Sequence, residues 1–253
     1  MTAGLDPRFV VALARELEDD QVLHVGASQE DVWLAAKLAR ALWAPNLRVI
    51  AGCSYMLGAA ASGPVPRTYE RDLIAARAAT FSQSRVFDDQ KRPRVSFAGG
   101  LQVDSRGNAN LIGIYDDDGV LLVRGPGSGG LPVLTAHTPK FFVAVADHSP
   151  RVLVERVSRI SVLGDPEARV AAGLPADSLH AVITPLARFR PGPEGLVLDQ
   201  LAADASLEEV AARTAFPLRV ADEVTTRPPP EETETEVLER LSPSTVRRNP
   251  DAR

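Results

Sequence analysis

Hydrophobic positions in the first fifty residues follow helical and strand-like spacing in turn. The apolar residues between positions 7 and 17 recur at helical intervals, and Pro7 suits a first helical turn. Short apolar runs at 22–25 and 47–50 are typical of buried strands, and a second helical pattern fills 32–42. This order of strand, helix and strand predicts a parallel α/β unit with a right-handed crossover.

The rest of the chain carries the patterns of further strands and helices. Helical patterns cover 69–87 and the segment that starts at Ser206, which has capping-box spacing with Glu209. Apolar or alternating runs predict two short strands within 95–110 and others at 141–146, 152–162, 180–188 and 196–200. We therefore predict an α/β fold with an open, mostly parallel sheet and flanking helices.

The composition changes near residue 225. Three prolines, 228–230, precede the acidic segment 231–234, and a short helical pattern is followed by polar residues to the end. Such a segment buries little apolar surface. We therefore predict one α/β domain over residues 1–223 and a Pro/Glu-rich tail over 224–253 that is mobile or packed on a partner.

Composition and charge narrow the classes of function. The chain has 253 residues, is 45% hydrophobic and 24% charged, and carries a net charge of -5, which gives no electrostatic support for nucleic-acid binding. We find no apolar run long enough for a membrane span and no signal-peptide pattern. The single cysteine, Cys53, excludes an intrachain disulfide and fits the cytoplasm, where we expect the protein.

A glycine-dense loop, residues 125–130, is the first candidate for a ligand site. Glycines allow backbone N–H groups to approach an anion closely, and a helix over 131–137 would place the loop at a helix N-terminus. The loop residues that we expect at a site are Gly127, Ser128, Gly129 and Gly130. The alternative is a tight, irregular connection without a ligand.

The segment 95–110, which we call the signature segment, is the second candidate. Its polar residues Asp104 and Asn108 flank Gly107 and are typical of a turn in which the side chains bond the local backbone. Gln102 and Asn110 lie beside apolar strand residues, so a buried amide there needs a partner, which a ligand could supply.

The remaining polar residues offer little chemistry. The four histidines, at 24, 137, 148 and 180, lack metal-ligand spacing, and we predict structural or exposed roles and no metal site. The acidic run 116–118 before Gly119 lacks the ligand pattern of a calcium loop and predicts a hairpin turn. Cys53 has no neighbouring basic residue that would lower the pKa of its thiol, so we predict a small buried residue.

The signature segment resembles the Gly-Ala-Met-Gln-Val-Asp-x-x-Gly-Asn-x-Asn stretch of the β subunits of class I coenzyme A transferases. The similarity extends more weakly from the first helix to about Asp222, and residues 196–222 are similar to the C-terminal pattern of that family. The resemblance implies the coenzyme A transferase type of α/β fold, which is similar to that of NagB and RpiA. It also implies a coenzyme A thioester as substrate, and no separate cofactor.

One departure from that family concerns the nucleophile. The β subunits carry a Ser-Glu-Asn-Gly turn, whose glutamate attacks the thioester, after the strand that matches 47–50. Here the matching segment is 52–58, and no carboxylate lies between Ile50 and Glu70. Because coenzyme A transfer needs a nucleophile that forms an acyl anhydride, we expect no catalytic residue on this chain and no transferase activity from it alone.

A divergent branch of the family fits this departure. The segments 96–104, 125–130 and 148–155 resemble the β subunit of the hydrolase that opens the last steroid ring in actinobacterial cholesterol degradation. The resemblance implies an α2β2 heterotetramer that cleaves a bicyclic β-diketone joined to coenzyme A, with the catalytic glutamate on the α subunit. The side chains of Ser54, Gln102 and Asn110, with the glycine loop, would line the substrate site.

Two other interpretations stay open at this point. The chain can be a binding or scaffolding module that kept the fold and lost catalysis, which retained affinity for coenzyme A thioesters without turnover would favour. It can also be a coenzyme A transferase, either as the β subunit of a 3-oxoacid coenzyme A transferase or as a self-sufficient enzyme with an unexpected nucleophile. An acyl or thioester adduct on this chain would favour the self-sufficient enzyme.

Overall fold

A computed structural model describes residues 6–26, 29–51, 55–57, 77–80, 94–116 and 118–241. Contacts within the chain divide it into two compact units. The first unit comprises Met1–Val86 and Pro230–Arg253, and the second comprises Phe87–Pro229. No helix in the described ranges has the length and apolar character needed to cross a membrane.

The first unit begins with the predicted strand–helix–strand order. Its elements are α1 (Pro7–Ala14), β1 (Val22–Val25), α2 (Glu30–Leu42) and β2 (Arg48–Ala51). Asp6 caps α1 by accepting the N–H of Arg8 at 2.9 Å, with Pro7 in the first turn. Strands β1 and β2 are parallel, with Val22 opposite Arg48. The predicted parallel α/β unit is confirmed.

The next strands of this unit correct one prediction. Strands β3 (Tyr55–Leu57) and β4 (Arg77–Thr80) extend the sheet in antiparallel fashion in the order β1-β2-β3-β4. The predicted helix over 69–87 is therefore wrong at 77–80, and the rest of that range lies outside the described residues. Pairing with β3 decides the conformation there, because tertiary context overrides a local helical preference.

Helix α6 (Glu232–Leu241) closes the first unit by packing against α1 and α2. Its Val237 and Leu238 are buried, and the buried carboxylate of Glu234 accepts hydrogen bonds from Arg15 at 2.7 and 3.0 Å. Residues 224–227 belong to a strand, Arg219–Arg227, and residues 232–241 form α6. Part of the segment predicted to be mobile or packed on a partner is therefore regular structure within this chain; residues 242–253 lie outside the described ranges.

The second unit is built on a mixed sheet. Strands β5 (Arg94–Ala98), β10 (Lys140–Ala144) and β12 (Leu179–Ile183) are parallel to one another. Strands β13 (Ala187–Gly192) and β14 (Gly195–Ala202) add antiparallel pairs, and β15 (Arg219–Arg227) lies parallel to β14. The α/β class with parallel strands and flanking helices is confirmed. The single strand predicted over 180–188 is instead parts of two strands, β12 and β13, joined by a turn. The strand predicted over 152–162 is much shorter and comprises only Leu153–Val154.

Short elements connect and flank this sheet. They are β6 (Gln102–Asp104), β7 (Ala109–Asn110), β8 (Gly113–Tyr115), β9 (Leu121–Arg124), α3 (Leu131–His137), β11 (Leu153–Val154), α4 (Pro166–Ala171) and α5 (Leu207–Ala212). Strand β6 pairs with β7 and β11, and β8 pairs with β9. The buried side chains of these elements join those of the main sheet in one apolar core, which includes Val103, Ala109, Phe141, Leu153, Leu179, Phe189 and Val210.

Candidate functional site

The turn at the centre of the signature segment is held by its own side chains. The buried carboxylate of Asp104 accepts the backbone N–H groups of Arg106 at 3.0 Å and Asn108 at 2.9 Å, and the amide of Asn108 at 3.2 Å. Gly107 has a φ of +83°, which disfavours any residue with a side chain. The predicted turn, in which side chains bond the local backbone, is confirmed. Because its carboxylate is occupied by these hydrogen bonds, Asp104 has a structural role.

The same turn is anchored to the segment that leads into α4. Asn108 Oδ1 accepts the N–H of Gly164 at 3.0 Å, and Arg106 donates to Asp165 at 2.7 and 3.1 Å. Burial raises the pKa of the Asp165 carboxyl, but the hydrogen bonds from Arg106 and the backbone outweigh it and lower that pKa from its ordinary value. Asp165 therefore stays ionised, and the turn is locked to α4.

Gln102 and Asn110 lie opposite each other on the paired strands β6 and β7. Asn110 is fully buried, and its Nδ2 donates to Gly113 O at 2.8 Å and to Gln102 Oε1 at 3.3 Å. Its Oδ1 accepts the N–H of Ile112 at 3.0 Å. The protein itself thus satisfies Asn110, whereas Gln102 is only partly buried.

Ser158 and Ser161 join this cluster, although no sequence motif indicates that they do. Ser158 Oγ lies 3.3 Å from Asn110 Nδ2, and Ser161 Oγ accepts the N–H of Leu111 at 2.9 Å. Both serines come from a segment further along the chain, with separations of 48 and 50 residues. A local sequence pattern cannot predict a contact between residues so far apart in the sequence.

The glycine loop 125–130 is attached directly to the signature segment. Gly125 N–H donates to Ile112 O at 2.9 Å and Gly127 N–H donates to Leu111 O at 3.0 Å. The helix predicted after the loop is confirmed as α3. Because the N–H of Gly127 is used internally, the loop offers a ligand the N–H groups of Ser128, Gly129 and Gly130, which donate to no protein group in the described part of the chain.

The structure thus brings most of the expected site residues together. Gln102 and Asn110 pair with each other, and the glycine loop is bonded to the two residues that follow Asn110. Ser54, the remaining expected residue, lies outside the described residues, as does Cys53. That these residues line a substrate site stays a prediction.

The other polar groups behave as structural groups. His148 is buried, with Nδ1 2.8 Å from Thr184 Oγ1 and Nε2 3.2 Å from Thr214 Oγ1. Burial, aided by the charge of Arg213, lowers the pKa of the His148 imidazole to about 4. Strands β8 and β9 form the predicted hairpin, in which Asp116 accepts the N–H of Val120 at 2.7 Å; Asp117 lies outside the described residues. Within the described ranges, no group of His, Cys, Asp and Glu residues is arranged to hold a metal ion.

Comparison with known proteins identifies the family. No family model matches the chain. The B-type subunit of the 3-oxoadipate CoA-transferase of Pseudomonas knackmussii is 30% identical over 251 residues, which cover 94% of this chain and 93% of the relative. The chain belongs to the class I coenzyme A transferase family. Its similarity to a B-type subunit agrees with the resemblance of the signature segment.

Solved structures of coenzyme A transferase relatives share the fold at lower identity. Glutaconate coenzyme A-transferase of Acidaminococcus fermentans has a TM-score of 0.83 at 21% identity, covering 96% of this chain and 97% of that one. The decarboxylase AibA/AibB has a TM-score of 0.82 at 23% identity, covering 95% of both chains. Rhodococcus jostii IpdAB has a TM-score of 0.73 at 22% identity, covering 96% of this chain and 97% of that one. At these identities, the solved structures show that the chain shares the coenzyme A transferase fold.

Proposed function

We propose that this chain is the β subunit of a cytoplasmic, heteromeric coenzyme A thioester hydrolase that opens the last steroid ring in cholesterol catabolism. It would assemble with an α subunit as an α2β2 heterotetramer and cleave a C–C bond in a bicyclic β-diketone joined to coenzyme A. The catalytic glutamate would come from the α subunit, and no separate cofactor is required.

The absence of a carboxylate between Ile50 and Glu70 is the observation that carries this proposal. A transferase of this family needs a nucleophile that forms an acyl anhydride. Residues 52–58, which follow β2 and match the nucleophile turn, carry only small, apolar and aromatic side chains and one thiol. A hydrolase that takes its base from another polypeptide has no such need. The resemblance of segments 96–104, 125–130 and 148–155 to the β subunit of the steroid ring-opening hydrolase supports the choice of hydrolase. The chain also shares the fold of Rhodococcus jostii IpdAB.

The chemistry needs two kinds of group. A glutamate of the partner takes a proton from water, the hydroxide adds to a ring carbonyl, and the adjacent C–C bond then breaks. The products are a carboxylate and an enolate that is protonated on carbon. Negative charge develops on oxygen in both steps, and donors fixed in place before the reaction stabilise it. The N–H groups of Ser128, Gly129 and Gly130 are our candidates for those donors.

The surface of the hairpin β8–β9 supports the proposed partner. Four consecutive apolar residues, Val120, Leu121, Leu122 and Val123, are between 42% and 62% exposed. Contiguous apolar side chains of this kind mark interaction sites on soluble proteins. We assign them to contact with the α subunit.

Product analysis tests the proposal. The chain is co-expressed with an α subunit of this enzyme family, and the complex is incubated with the bicyclic β-diketone thioester in water enriched in oxygen-18. We expect a ring-opened product, still joined to coenzyme A, with one heavy oxygen in its new carboxylate. Transfer of coenzyme A to an added acid, without ring opening, would contradict the proposal and favour the transferase. Thioester binding without any turnover would favour the binding module.

Decarboxylation is a second candidate, and one observation favours it. The lone cysteine of this chain, Cys53, falls in the segment that matches the nucleophile turn of the family. Four further structures of the AibA/AibB decarboxylase carry substitutions of a single cysteine. Release of CO2 from a carboxylated thioester by the complex, abolished by Cys53→Ser, would support this candidate, whereas ring opening that survives Cys53→Ser supports the hydrolase.

A further inference from the structure

Resting on the proposed function, we infer that Gln102 donates its Nε2 hydrogens to an oxygen of the bound thioester substrate. Asn110 is the positioning residue that fixes this orientation. Hydrogen bonds around Asn110 determine which end of the Gln102 amide faces the ligand.

The orientation of the Asn110 amide is determined by the backbone around it. Its Oδ1 accepts the N–H of Ile112 at 3.0 Å and lies 3.4 Å from the N–H of Gly113, while its Nδ2 donates to Gly113 O at 2.8 Å. The reversed amide would set NH2 against two N–H donors and its oxygen against a carbonyl. Because Asn110 is 0% exposed, water cannot compensate such a mismatch.

The orientation of Gln102 follows from that of Asn110. Asn110 Nδ2 has two hydrogens, and its acceptors besides Gly113 O are Gln102 Oε1 and Ser158 Oγ, each at 3.3 Å. Only the oxygen end of the Gln102 amide can face a donor. The Nε2 end therefore points away from Asn110, and within the described ranges it meets no protein acceptor.

The location of Gln102 is that of a ligand-binding residue. Gln102 begins β6 only a few residues after β5 ends at Ala98, and β5 is parallel to β10. In open α/β sheets, ligands bind beyond the carboxyl ends of the parallel strands. The glycine loop is bonded to Leu111 and Ile112, so it is attached to the two residues that follow Asn110, the partner of Gln102.

This geometry defines the chemistry of the ligand atom. An NH2 group donates only, so it suits a carbonyl, enolate or thioester oxygen and disfavours a hydroxyl or ammonium donor. In a reaction that develops oxyanion charge, one such donor contributes to the rate and not merely to affinity. Gln102 would thus supply a side-chain donor beside the backbone donors of the loop.

The experiment uses the complex with the α subunit and compares Gln102→Glu with wild type. Glutamate has nearly the same shape, but its ionised carboxylate is only an acceptor. We expect kcat for ring opening to fall at least about 10-fold at pH 7.5, with a smaller change in KM. Because a protonated carboxyl donates again, the activity of the variant relative to wild type should rise as the pH falls toward about 5.

Asn110→Asp and a matched control complete the test. An aspartate at 110 cannot donate to Gln102 Oε1, so we expect a loss of kcat similar to that of Gln102→Glu. Gln200→Glu makes the same change on β14, away from the cluster, and should leave kcat within about twofold of wild type. If the variant complexes have the melting temperature of wild type, a loss of kcat reflects a change in positioning and not unfolding. If Asn110→Asp lowers the melting temperature, Gln102→Glu alone decides the inference.

The experiments distinguish a failure of the proposed function from a failure of the role assigned to Gln102. A wild-type complex that fails to open the ring contradicts the proposed function, and the inference is then tested by calorimetric titration with acetyl coenzyme A. In that titration we expect Gln102→Glu to weaken binding at least about 10-fold, because a carboxylate faces the thioester oxygen. If the complex opens the ring, a kcat of Gln102→Glu within twofold of wild type would overturn the inference. If it does not, an affinity of Gln102→Glu for acetyl coenzyme A within twofold of wild type would do so.

Discussion

Arg15 and Glu234 are 219 residues apart in the sequence and form a two-point ion pair in the first unit, with Nε and Nη2 of Arg15 at 3.0 and 2.7 Å from the carboxylate of Glu234. The same carboxylate accepts the N–H of Glu231 at 2.8 Å at the start of α6. The pair joins the residue after α1 to the last helix. A single carboxylate thus fixes both the beginning and the position of α6.

We predict that Glu234→Ala lowers the free energy of unfolding by about 2 kcal/mol, because it removes a buried carboxylate that binds the partly buried Arg15 and accepts the N–H of Glu231. Urea denaturation of the purified protein measures the change. Glu239→Ala, an exposed substitution in the same helix, is the control and should stay within about 0.5 kcal/mol of wild type. Equal losses for the two variants would contradict the structural role of the ion pair.

The turn of the signature segment gives a second prediction. A Cβ at position 107 would lie 2.7 Å from Leu179 Cδ2, at a φ of +83°. We expect Gly107→Ala to cost about 2–4 kcal/mol of stability, from strain of the left-handed backbone plus overpacking. Gly119→Ala shares the positive φ, +79°, but meets no atom within 4 Å, so it should cost only about 1 kcal/mol. Thermal melting that ranks the two variants equally would count against the packing of Gly107 on β12.

The buried imidazole of His148 gives a prediction about pH. Its folded-state pKa of about 4 lies below the unfolded value of 6.5, so the folded protein holds the ring neutral. The stability that this provides is fully present above pH 6.5 and is lost as the pH falls toward 4, an effect on the order of 3 kcal/mol. Denaturation midpoints measured across this window should fall more steeply for wild type than for His148→Gln. His137→Gln, at an exposed site, should keep the wild-type slope.

The apolar surface of β8–β9 gives a prediction about assembly. Leu122 is 62% exposed, so Leu122→Glu should leave the fold of this chain intact and weaken its association with the α subunit at least about 10-fold. Val170, on α4, is also 62% exposed, and Val170→Glu serves as the matched control. Co-purification and analytical ultracentrifugation measure both variants. Undiminished assembly of Leu122→Glu would place the partner contact elsewhere.

The sequence correctly predicts the elements whose conformation is determined by neighbouring residues. The β1–α2–β2 unit follows from spacing and order, and the turn at Asp104, Gly107 and Asn108 follows from side chains that bond their own backbone. The helix at Ser206 is likewise capped as its sequence indicates, with Ser206 accepting the N–H of Glu209 at 3.1 Å.

Long-range contacts explain what local patterns missed. Residues 77–80 contain nothing that excludes a helix, and only pairing with β3 makes them a strand. The acidic segment 231–234 has the composition of a solvated tail, but residues 232–234 form the first turn of α6, where Glu234 is paired with Arg15. Ser158, 48 residues away, is a further hydrogen-bond partner of Asn110, and the signature segment alone does not predict that contact.

Activity measured against increasing amounts of the α subunit, at a fixed concentration of this chain, tests the central claim most directly. We predict no ring opening without the α subunit, a linear rise, and saturation at equimolar subunits, since the attacking base comes from the α subunit. Turnover by this chain alone, or a covalent adduct of the thioester on one of its own residues, would contradict that claim.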